Sequence, residues 1–435
     1  LRNLSKLLRR RDRNLKSELK REVDHRLLTD AFPGWASTNR ALCEVLPASP
    51  ALFDVVVIDE ASQCDLALAG VALMRGKRAV VVGDPNQLRH VCFLSRTREQ
   101  AYCVKNELDD AEQRRFHFRR SLFDVAADAV EQQHFYLLDE HFRSHPHIIN
   151  FSNAKFYDGD LKIMTGRPGN AESSIEVREV SGRRESDSCV NRAEVEDTVQ
   201  QMVRVVESQT AGKPLSIGVV SPFREHADEI QRRLIETFSS DVILRHGMTV
   251  GTAHALQGDE KDVVFMTTSI DKDSHRGSLQ FLETPNLFNV AITRAKKLLV
   301  IVTSVKAEDL PKGLLKDFLV YAKNPRNSIY EDARKPTDFE RQLGAQLKND
   351  GIEVWPDFDA TGTRVPMIAG RDGARLAVMY DAYNTTPADP YVQLEEQLRL
   401  ARAGWEITRI PHRTFVDDPQ AVSSHVSDRL SKSAP

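Results

Sequence analysis

Two adjacent carboxylates, Asp59 and Glu60, stand at the end of an apolar run that covers residues 53–58. A run of this kind is typical of a strand buried on both faces of a parallel sheet. Ligands of such sheets bind at the carboxyl ends of the strands, where one carboxylate can hold Mg²⁺ and its neighbour can orient a water molecule. An ordinary strand followed by an acidic turn is an equally good interpretation of this segment taken alone.

Further polar residues follow or flank predicted strands in chain order, and they supply amide, acidic and arginine side chains. They are Gln63; Asp84 and Gln87; Arg143; Thr252, His254, Gln257, Gly258 and Glu260; and Arg294. Phosphoryl transfer from a nucleotide requires side chains of these types: a metal-bound carboxylate, an acid that positions water, a group that senses the γ-phosphate, and arginines that neutralise the developing charge.

The order of the motifs suggests how these roles are shared. Asp59 and Glu60 can supply the metal-bound carboxylate and the acid. Gln87 is placed to sense the γ-phosphate, and Gln63 to contact the water or the phosphate. The two arginines lie on later predicted strands, so we expect them to approach from a second domain across a cleft. An arginine in that role accelerates the reaction by about 10³–10⁵-fold.

The five segments resemble, in order, motifs II, III, IV, V and VI of superfamily 1 helicases, over roughly residues 35–306. The forms Asp-Glu-Ala-Ser-Gln, Gly-Asp-Pro-Asn-Gln-Leu, Phe-Arg-Ser-His-Pro and Thr-Arg-Ala are most similar to the nonsense-mediated-decay-helicase-like branch, an AAA-type group distinct from the DEAD-box enzymes. The resemblance implies two RecA-like parallel-sheet domains, ATP and Mg²⁺ as cofactors, and single-stranded DNA or RNA as the partner.

The resemblance also implies roles for individual residues. Asp59 would be the Mg²⁺ ligand and Glu60 the catalytic base, and Glu260 would reach the ribose of the nucleotide. The remaining candidates are Gln63, Gln87, Arg143 and Arg294 for catalysis; Asp84, Gln257 and Gly258 for nucleotide binding; and Thr252, His254 and Pro222 of Ser-Pro-Phe for strand contact.

One part of the nucleotide site has no counterpart in this sequence. The Gly-x-x-x-x-Gly-Lys-Ser/Thr loop, whose N–H groups cradle phosphates, does not occur before Asp59. The nearest segment, residues 70–77, has one residue too many and is followed by Arg78. We therefore expect the chain to begin inside the first motor domain. Either the protein is longer, another upstream polypeptide supplies the loop, or hydrolysis has been lost.

The last part of the chain resembles the very-short-patch-repair type of nuclease domain, which has a restriction-endonuclease-like α/β fold. Such nucleases share Mg²⁺ between an Asp and a Glu on neighbouring strands. Pro366 and Met379 occupy those two positions here, and neither side chain binds a hard cation. Because only Glu340 and Asp381 remain, we expect a degenerate binding module.

Alternating strands and helices predict an α/β fold with parallel sheets. Residues 135–138 are predicted to form a strand. The expected divisions are a charged helical segment (1–34), the C-terminal part of a first RecA-like domain (35–138), a second RecA-like domain (139–306), a linker (307–334), the nuclease-like module (335–420) and a disordered tail (421–435).

Composition excludes several classes of protein. No apolar stretch is long enough to span a membrane. The 5 cysteines are scattered without metal-ligand spacing, which suits a reducing cytoplasm. A net charge of -3 means that any nucleic-acid site is a local groove. His141, His145 and His147 lie close together, but polar packing explains them better than zinc.

The leading hypothesis is the C-terminal part of an ATP-dependent helicase or translocase. A non-hydrolysing nucleic-acid-binding or scaffold protein that keeps the motor fold is the first alternative. A helicase-associated nuclease is the second, and it requires Glu340 and Asp381 to find another carboxylate.

Overall fold

The computed structural model describes residues 24–169, 174–186, 188–209, 212–274, 276–325, 335–380 and 389–432. The chain divides into two compact units, Leu1–Leu137 and Leu138–Pro435. This division lies next to the predicted domain boundary at residue 138. Most of the charged segment predicted for residues 1–34 lies outside the described residues, which begin with a short helix.

The first unit is built on two parallel strands, β1 (Phe53–Ile58) and β2 (Gly76–Val81). Its helices are α1 (His25–Ala31), α2 (Asn39–Val45), α3 (Leu66–Leu73), α4 (Arg96–Lys105), α5 (Asp110–Arg115) and α6 (Leu122–Ala129). Side chains that favour helix N-termini start the helices around the sheet, for example Asp65 before α3 and Ser121 before α6.

The apolar strand β1 was expected to be buried on both faces, and this is wrong for the described residues. Val55 is 49% exposed and Val57 63% exposed, and Val80 of β2 is 47% exposed. The two strands form a sheet of their own, so little apolar surface is available to cover them. The core of this unit is correspondingly small. The cluster beside the sheet buries Ile58, Ala61, Ala69, Ala72 and Leu122, and a second cluster buries Leu28 and Leu46.

The strand predicted at residues 135–138 is also wrong. The structure has a loop there, in which Tyr136 is 78% exposed and Leu138 82% exposed. A run of four apolar residues has strand-like composition, but a strand needs a hydrogen-bonded neighbour. The chain enters β3 (Glu140–His141) only two residues later, where β4 (Lys162–Ile163) pairs with it in parallel.

The second unit contains a parallel five-stranded sheet with the order β5-β9-β8-β6-β7. The strands are β5 (Ile175–Glu179), β6 (Ile217–Val220), β7 (Thr249–Gly251), β8 (Lys261–Thr267) and β9 (Ala295–Thr303). The central strands β6 and β8 are almost entirely buried, as β-branched runs between two helical layers should be. The predicted α/β class with parallel sheets is therefore confirmed.

Amphipathic helices provide the apolar surface that covers this sheet; α9 buries Ile230 and Leu234 in the same core as Val219 and Phe265. The helices of this part are α7 (Pro146–Phe156), α8 (Arg192–Glu207), α9 (Arg224–Thr237), α10 (Ser240–Arg245), α11 (Arg276–Leu282), α12 (Pro285–Ile292) and α13 (Leu314–Lys323).

Helix α13 lies in the predicted linker, residues 307–334, and corrects that prediction for its first half. Phe318 is fully buried, with its ring centroid 4.8 Å from that of Phe151 and 5.3 Å from that of Phe288. These contacts attach the helix to α7 and α12 of the second unit. Residues 326–334 lie outside the described residues.

The C-terminal module has a four-stranded sheet, with three antiparallel strands followed by one parallel strand. Side chains alternate between its two faces, so Met367 and Ile368 belong to different apolar clusters. Its elements are α14 (Asp338–Asn349), β10 (Glu353–Ala360), β11 (Thr363–Arg371), β12 (Ala374–Tyr380), α15 (Pro390–Arg402), β13 (Glu406–Ile410), α16 (His412–Asp417) and α17 (Pro419–Lys432).

The tail predicted to be disordered, residues 421–435, is largely helical instead. Helix α17 buries Val422, Val426 and Leu430 against the sheet. These residues recur every four positions, which places them on one helical face despite the serine-rich composition around them. None of the helices in the described ranges combines the length and apolar character that crossing a membrane requires.

Candidate functional site

The carboxyl ends of β1 and β2 are tied together by backbone hydrogen bonds. Ala61 N–H donates to Val82 O at 2.8 Å, and Val82 N–H donates to Ile58 O at 2.9 Å. These bonds bring the loop that contains Asp59 beside the loop that contains Asp84. Two of the predicted motifs therefore share one edge of the sheet, as parallel pairing requires.

Asp59 and Glu60 are both exposed at this edge. Glu60 lies in the left-handed region, with φ 54°, which costs a residue other than glycine about 1–3 kcal/mol. Asp59 Oδ1 accepts the Glu60 N–H at 2.8 Å, and the Gln63 amide donates to Glu60 Oε2 at 2.7 Å. The strained turn thus presents two oriented carboxylates and an amide to solvent, which is a suitable arrangement for a hard cation and a water molecule.

The neighbouring loop is organised by Asp84. Its carboxylate accepts the Asn86 N–H and the Gln87 side-chain amide, each at 2.9 Å. A Cβ atom at Gly83 would lie 2.7 Å from a ring carbon of Phe123 and 3.1 Å from Ser62 N. Only glycine allows this loop to lie so close to the Asp59 loop, and Asp84 acts here by orienting Gln87.

Glu260 joins two predicted motifs in the second unit. Its carboxylate forms an ion pair with Arg143, and its other oxygen lies 2.5 Å from the Lys296 ammonium. The hydrogen bond from Lys296 and the charge of Arg143 hold the pKa of Glu260 below its ordinary value. The three groups together carry one net positive charge at the sheet edge, which favours binding of phosphate.

Two half-buried histidines fix the backbone around Arg143. His141 Nε2 accepts the Ser144 N–H at 2.9 Å, and His145 Nδ1 lies 2.7 Å from Ser174 Oγ. Burial lowers the pKa of each histidine to about 4, so both are neutral near pH 7. The ring contact of His145 with His147, at 4.9 Å between centroids, is part of the same packing. Within the described ranges, no cluster of metal-ligating side chains includes them.

Arg294, the second predicted arginine, is buried and only 2% exposed. Its Nε donates to Val290 O at 3.0 Å, and its Nη1 donates to Asp259 O at 3.2 Å. The guanidinium therefore connects the end of α12 to the loop that precedes β8. Arg143 contacts Glu260 directly, whereas Arg294 contacts the backbone of the preceding residue, Asp259.

The loop from Thr252 to Glu260 contains the remaining predicted residues. Thr252 O accepts two backbone N–H groups, from Ala255 and Leu256, which closes a turn. This turn leaves His254 exposed, Gln257 half-buried, and Gly258 in the left-handed region at φ 78°. Pro222, at the end of β6, lines a small apolar cavity together with Ala253 of this loop, so the structure brings two predicted strand-contact segments together.

Glu194 is a site residue that sequence reasoning missed. It is fully buried in the first turn of α8, and its carboxylate accepts backbone N–H groups of Thr268, Ser269 and Ser304 at 2.7–3.0 Å. These bonds tie the ends of β8 and β9 to the helix. Burial raises the pKa of Glu194 to about 7. The available signal was Asn191 three residues earlier, which caps α8.

The C-terminal module uses its predicted acid structurally. Glu340 is 2% exposed; it completes a capping box with Thr337 and accepts the Tyr380 hydroxyl. Pro366 and Met379 stand on the adjacent strands β11 and β12, where no oxygen ligand is available. Asp381 lies outside the described residues.

Known proteins resemble this chain mainly over residues 35–306. An AAA-domain family model matches residues 118–306, and a second AAA-domain model matches residues 35–94. The helicase SEN1 of Saccharomyces cerevisiae is 28% identical over 351 residues, which is 72% of this chain and 15% of that protein. The uncharacterized ATP-dependent helicase MG140 of Mycoplasma genitalium is 27% identical over 356 residues, 74% of this chain and 30% of that protein.

Among solved structures, the helicase of the virus PRRSV aligns with 57% of this chain and 34% of its own chain, at 16% identity and a TM-score of 0.27. That TM-score is too low to support a common fold. The sequence matches support the resemblance to superfamily 1 helicases of the nonsense-mediated-decay-helicase-like branch. The family models end at residue 306, and the nuclease-like origin of the last module stays a prediction.

Proposed function

We propose that this chain is part of an ATP-dependent helicase or translocase that hydrolyses ATP with Mg²⁺ and moves along single-stranded nucleic acid. The observation that carries the proposal is the division of catalytic groups between the two units. The first presents Asp59 and Glu60 at a strand edge, and the second presents Arg143, Glu260 and Lys296. Phosphoryl transfer requires both sets, the acids for metal and water and the cations for phosphate.

The residues of the first unit suit a nucleotide-bound Mg²⁺. Asp59 is an exposed hard oxygen donor, and Glu60 is oriented beside it by Gln63. When bound, the ion would neutralise charge on the phosphates. Glu60 would then hold the attacking water and take its proton, while Gln87, oriented by Asp84, would contact the γ-phosphate.

Arg143 is the more accessible of the two predicted arginines of the second unit, and we assign the contact with phosphate to it. Its side chain is 39% exposed, whereas Arg294 is buried. Because Glu260 pairs with Arg143, a phosphate would have to compete with this carboxylate. Arg294 would contribute by fixing the loop that carries Glu260.

We also propose that polypeptide outside this sequence supplies the phosphate-binding loop. No segment among the 435 residues has the Gly-x-x-x-x-Gly-Lys-Ser/Thr pattern. This chain spans 15% of SEN1 and 30% of MG140. The loop would come from the preceding part of the same protein or from an upstream polypeptide. A coding region directly upstream that contains the pattern would support the proposal.

Strand binding would use the loop of Thr252 and His254 together with Pro222, since Ala253 of that loop and Pro222 line the same small cavity. Contacts of this type are made mainly to the backbone and to stacked bases, so binding should weaken with salt and tolerate changes of sequence. The identity of the strand, DNA or RNA, is an outcome of the test.

The test is ATP hydrolysis by this chain, and by the longer polypeptide with the loop, measured with and without single-stranded DNA or RNA. We expect strand-stimulated turnover in the longer polypeptide. Absence of turnover there, with strand binding retained, would favour the alternative of a non-hydrolysing nucleic-acid-binding protein that keeps the motor fold.

A further inference from the structure

The short sheet that precedes Arg143 is attached to the C-terminal module through an ion pair. Arg402 lies at the end of α15. Its Nε, at 3.0 Å, and its Nη2 both donate hydrogen bonds to the carboxylate of Glu140 in β3. Such bidentate geometry fixes the relative orientation of the two partners better than a single contact does. The attachment point is only three residues before Arg143.

A second attachment follows β4, the partner strand of β3. Met164 is 2% exposed and inserts into one of the two apolar clusters of the module's sheet. The module's members of this cluster are Phe358, Ala360, Val365, Ile368, Ala377, Leu400, Ala403 and Trp405. The motor segment therefore completes a core of the module.

The chain after Met164 continues across the same surface. The Arg167 guanidinium lies 4.4 Å from the ring centroid of Trp405 and donates to Ala403 O. A Cβ atom at Gly169 would lie 3.2 Å from the ring of Trp355. The contact is thus a continuous joint, with an ion pair, a buried methionine and a stacked arginine.

The joint matters because β3 and β4 have little support of their own. Each strand is two residues long. Within the described part of the chain, the two form a sheet of their own that is separate from the five-stranded sheet. A two-stranded element of this length is marginal in isolation. On the motor side, the His145 N–H donates to Lys296 O at 2.7 Å. On the opposite side, the support comes from the module.

We propose that the C-terminal module is a positioning element for Arg143, and that Arg402, Arg167 and Met164 are its positioning residues. In this role the module holds β3 and β4 in place, so that Arg143 stands where Glu260, and later a phosphate, can meet it. The catalytic consequence rests on the proposed function, whereas the joint itself does not. Anything that loosens the module from β3 should lower hydrolysis without touching a motif residue.

The test uses charge reversal at the exposed ion pair, which leaves the buried core of the joint intact. Arg402→Glu should speed backbone hydrogen exchange at residues 140–145 of this chain, and the double variant Glu140→Lys/Arg402→Glu should restore the protection. Arg413→Glu is the matched control, because Arg413 is an exposed arginine of the same module that pairs with Asp417 of its own helix. If hydrogen exchange is unchanged in Arg402→Glu, or does not recover in the double variant, the proposal that this ion pair holds β3 in place is wrong.

The second readout is strand-stimulated ATP hydrolysis by the longer polypeptide that carries the phosphate loop. Arg402→Glu should lower kcat about two- to fivefold, the scale of an exposed ion pair, with KM for ATP unchanged and kcat recovered in the double variant. An equal fall of kcat in the Arg413→Glu control would count against a positioning role of the Glu140–Arg402 pair. If the wild-type polypeptide does not hydrolyse ATP, the catalytic consequence fails together with the proposed function. Hydrogen exchange still tests whether the module holds β3 and β4 in place.

Discussion

The Arg143 guanidinium contacts one carboxylate oxygen of Glu260, and the Lys296 ammonium contacts the other at 2.5 Å. Arg143 and Glu260 are 117 positions apart in the sequence (260 − 143), and the fold brings them together through β3 and the loop before β8. A carboxylate between two cations holds them in place until an anion with more charge replaces it. Under the proposed function, this relationship makes Arg143 the arginine that we expect to respond to nucleotide.

Arg143→Ala should therefore reduce strand-stimulated ATP hydrolysis by about 10³-fold or more, since an arginine that stabilises the transferred phosphate contributes on that scale. The measurement is kcat of the longer polypeptide at saturating ATP. Arg192→Ala is the control, because Arg192 is an exposed arginine of the same unit that pairs with Glu185. Loss of activity equal in the two variants would contradict a specific role for Arg143.

Glu194 should make stability depend on pH. Its pKa is raised from 4.5 to about 7 in the folded protein, so the folded state binds a proton more tightly than the unfolded state does. The stability contributed by this proton is complete below pH 4.5 and is lost as pH rises to about 7. The expected loss is about 3 kcal/mol in the free energy of unfolding.

Glu194→Gln is the matched variant, because glutamine has nearly the same shape and does not titrate. The free energy of unfolding is measured by urea titration at several pH values. Between pH 4.5 and 7, that of the wild type should fall relative to that of the variant. A difference that stays constant with pH would show that Glu194 has an ordinary pKa.

Gly83 should not tolerate a side chain. Gly83→Ala would place Cβ 2.7 Å from the Phe123 ring and 3.1 Å from Ser62 N, so we expect a destabilisation of about 1–3 kcal/mol, typical of overpacking. Gly70→Ala is the control, since nothing lies within 4 Å of that position in helix α3. The control should stabilise the chain by about 0.5–1 kcal/mol. Equal melting temperatures for the two variants would refute the close approach of the loops.

The C-terminal module should not cut nucleic acid. Glu340 is engaged by Thr337 and Tyr380, so incubation of the chain with DNA or RNA and Mg²⁺ should leave the strands intact. Glu340→Ala should instead destabilise the module by about 1–3 kcal/mol through loss of the capping box and of the Tyr380 hydrogen bond. Asp338→Ala, at an exposed acid of the same helix turn, is the comparison. Metal-dependent cleavage that disappears in Glu340→Ala would revive the nuclease.

Local sequence patterns predicted the strand that positions Asp59 and Glu60, but not what surrounds that strand. Residues 53–58 form a strand that ends at Asp59, as the apolar run indicated. The same composition was misleading at residues 135–138, because a short apolar run does not reveal whether a neighbouring strand is available. Burial on both faces of β1 depends on which elements cover the sheet, and the sequence of the strand itself does not show them.

Helices were missed where composition concealed periodicity. Leu315, Phe318 and Leu319 have helical spacing, but the prolines at 311 and 325 suggested a linker. The role of Glu194 depends on N–H groups more than 70 residues away along the chain, and no local pattern shows them. Long-range contacts of this kind also make up the joint between Met164 and the C-terminal module.

The most direct test of the central claim is the single variant Glu60→Gln in the polypeptide that carries the phosphate loop. This change keeps the shape of the strained turn and removes the base that would take a proton from the attacking water. The measurements are ATP binding and strand-stimulated hydrolysis, side by side. We predict that ATP binding is retained and that hydrolysis falls by about 10²-fold or more. Hydrolysis at the wild-type rate in Glu60→Gln would contradict the assignment of this strand end as the catalytic edge.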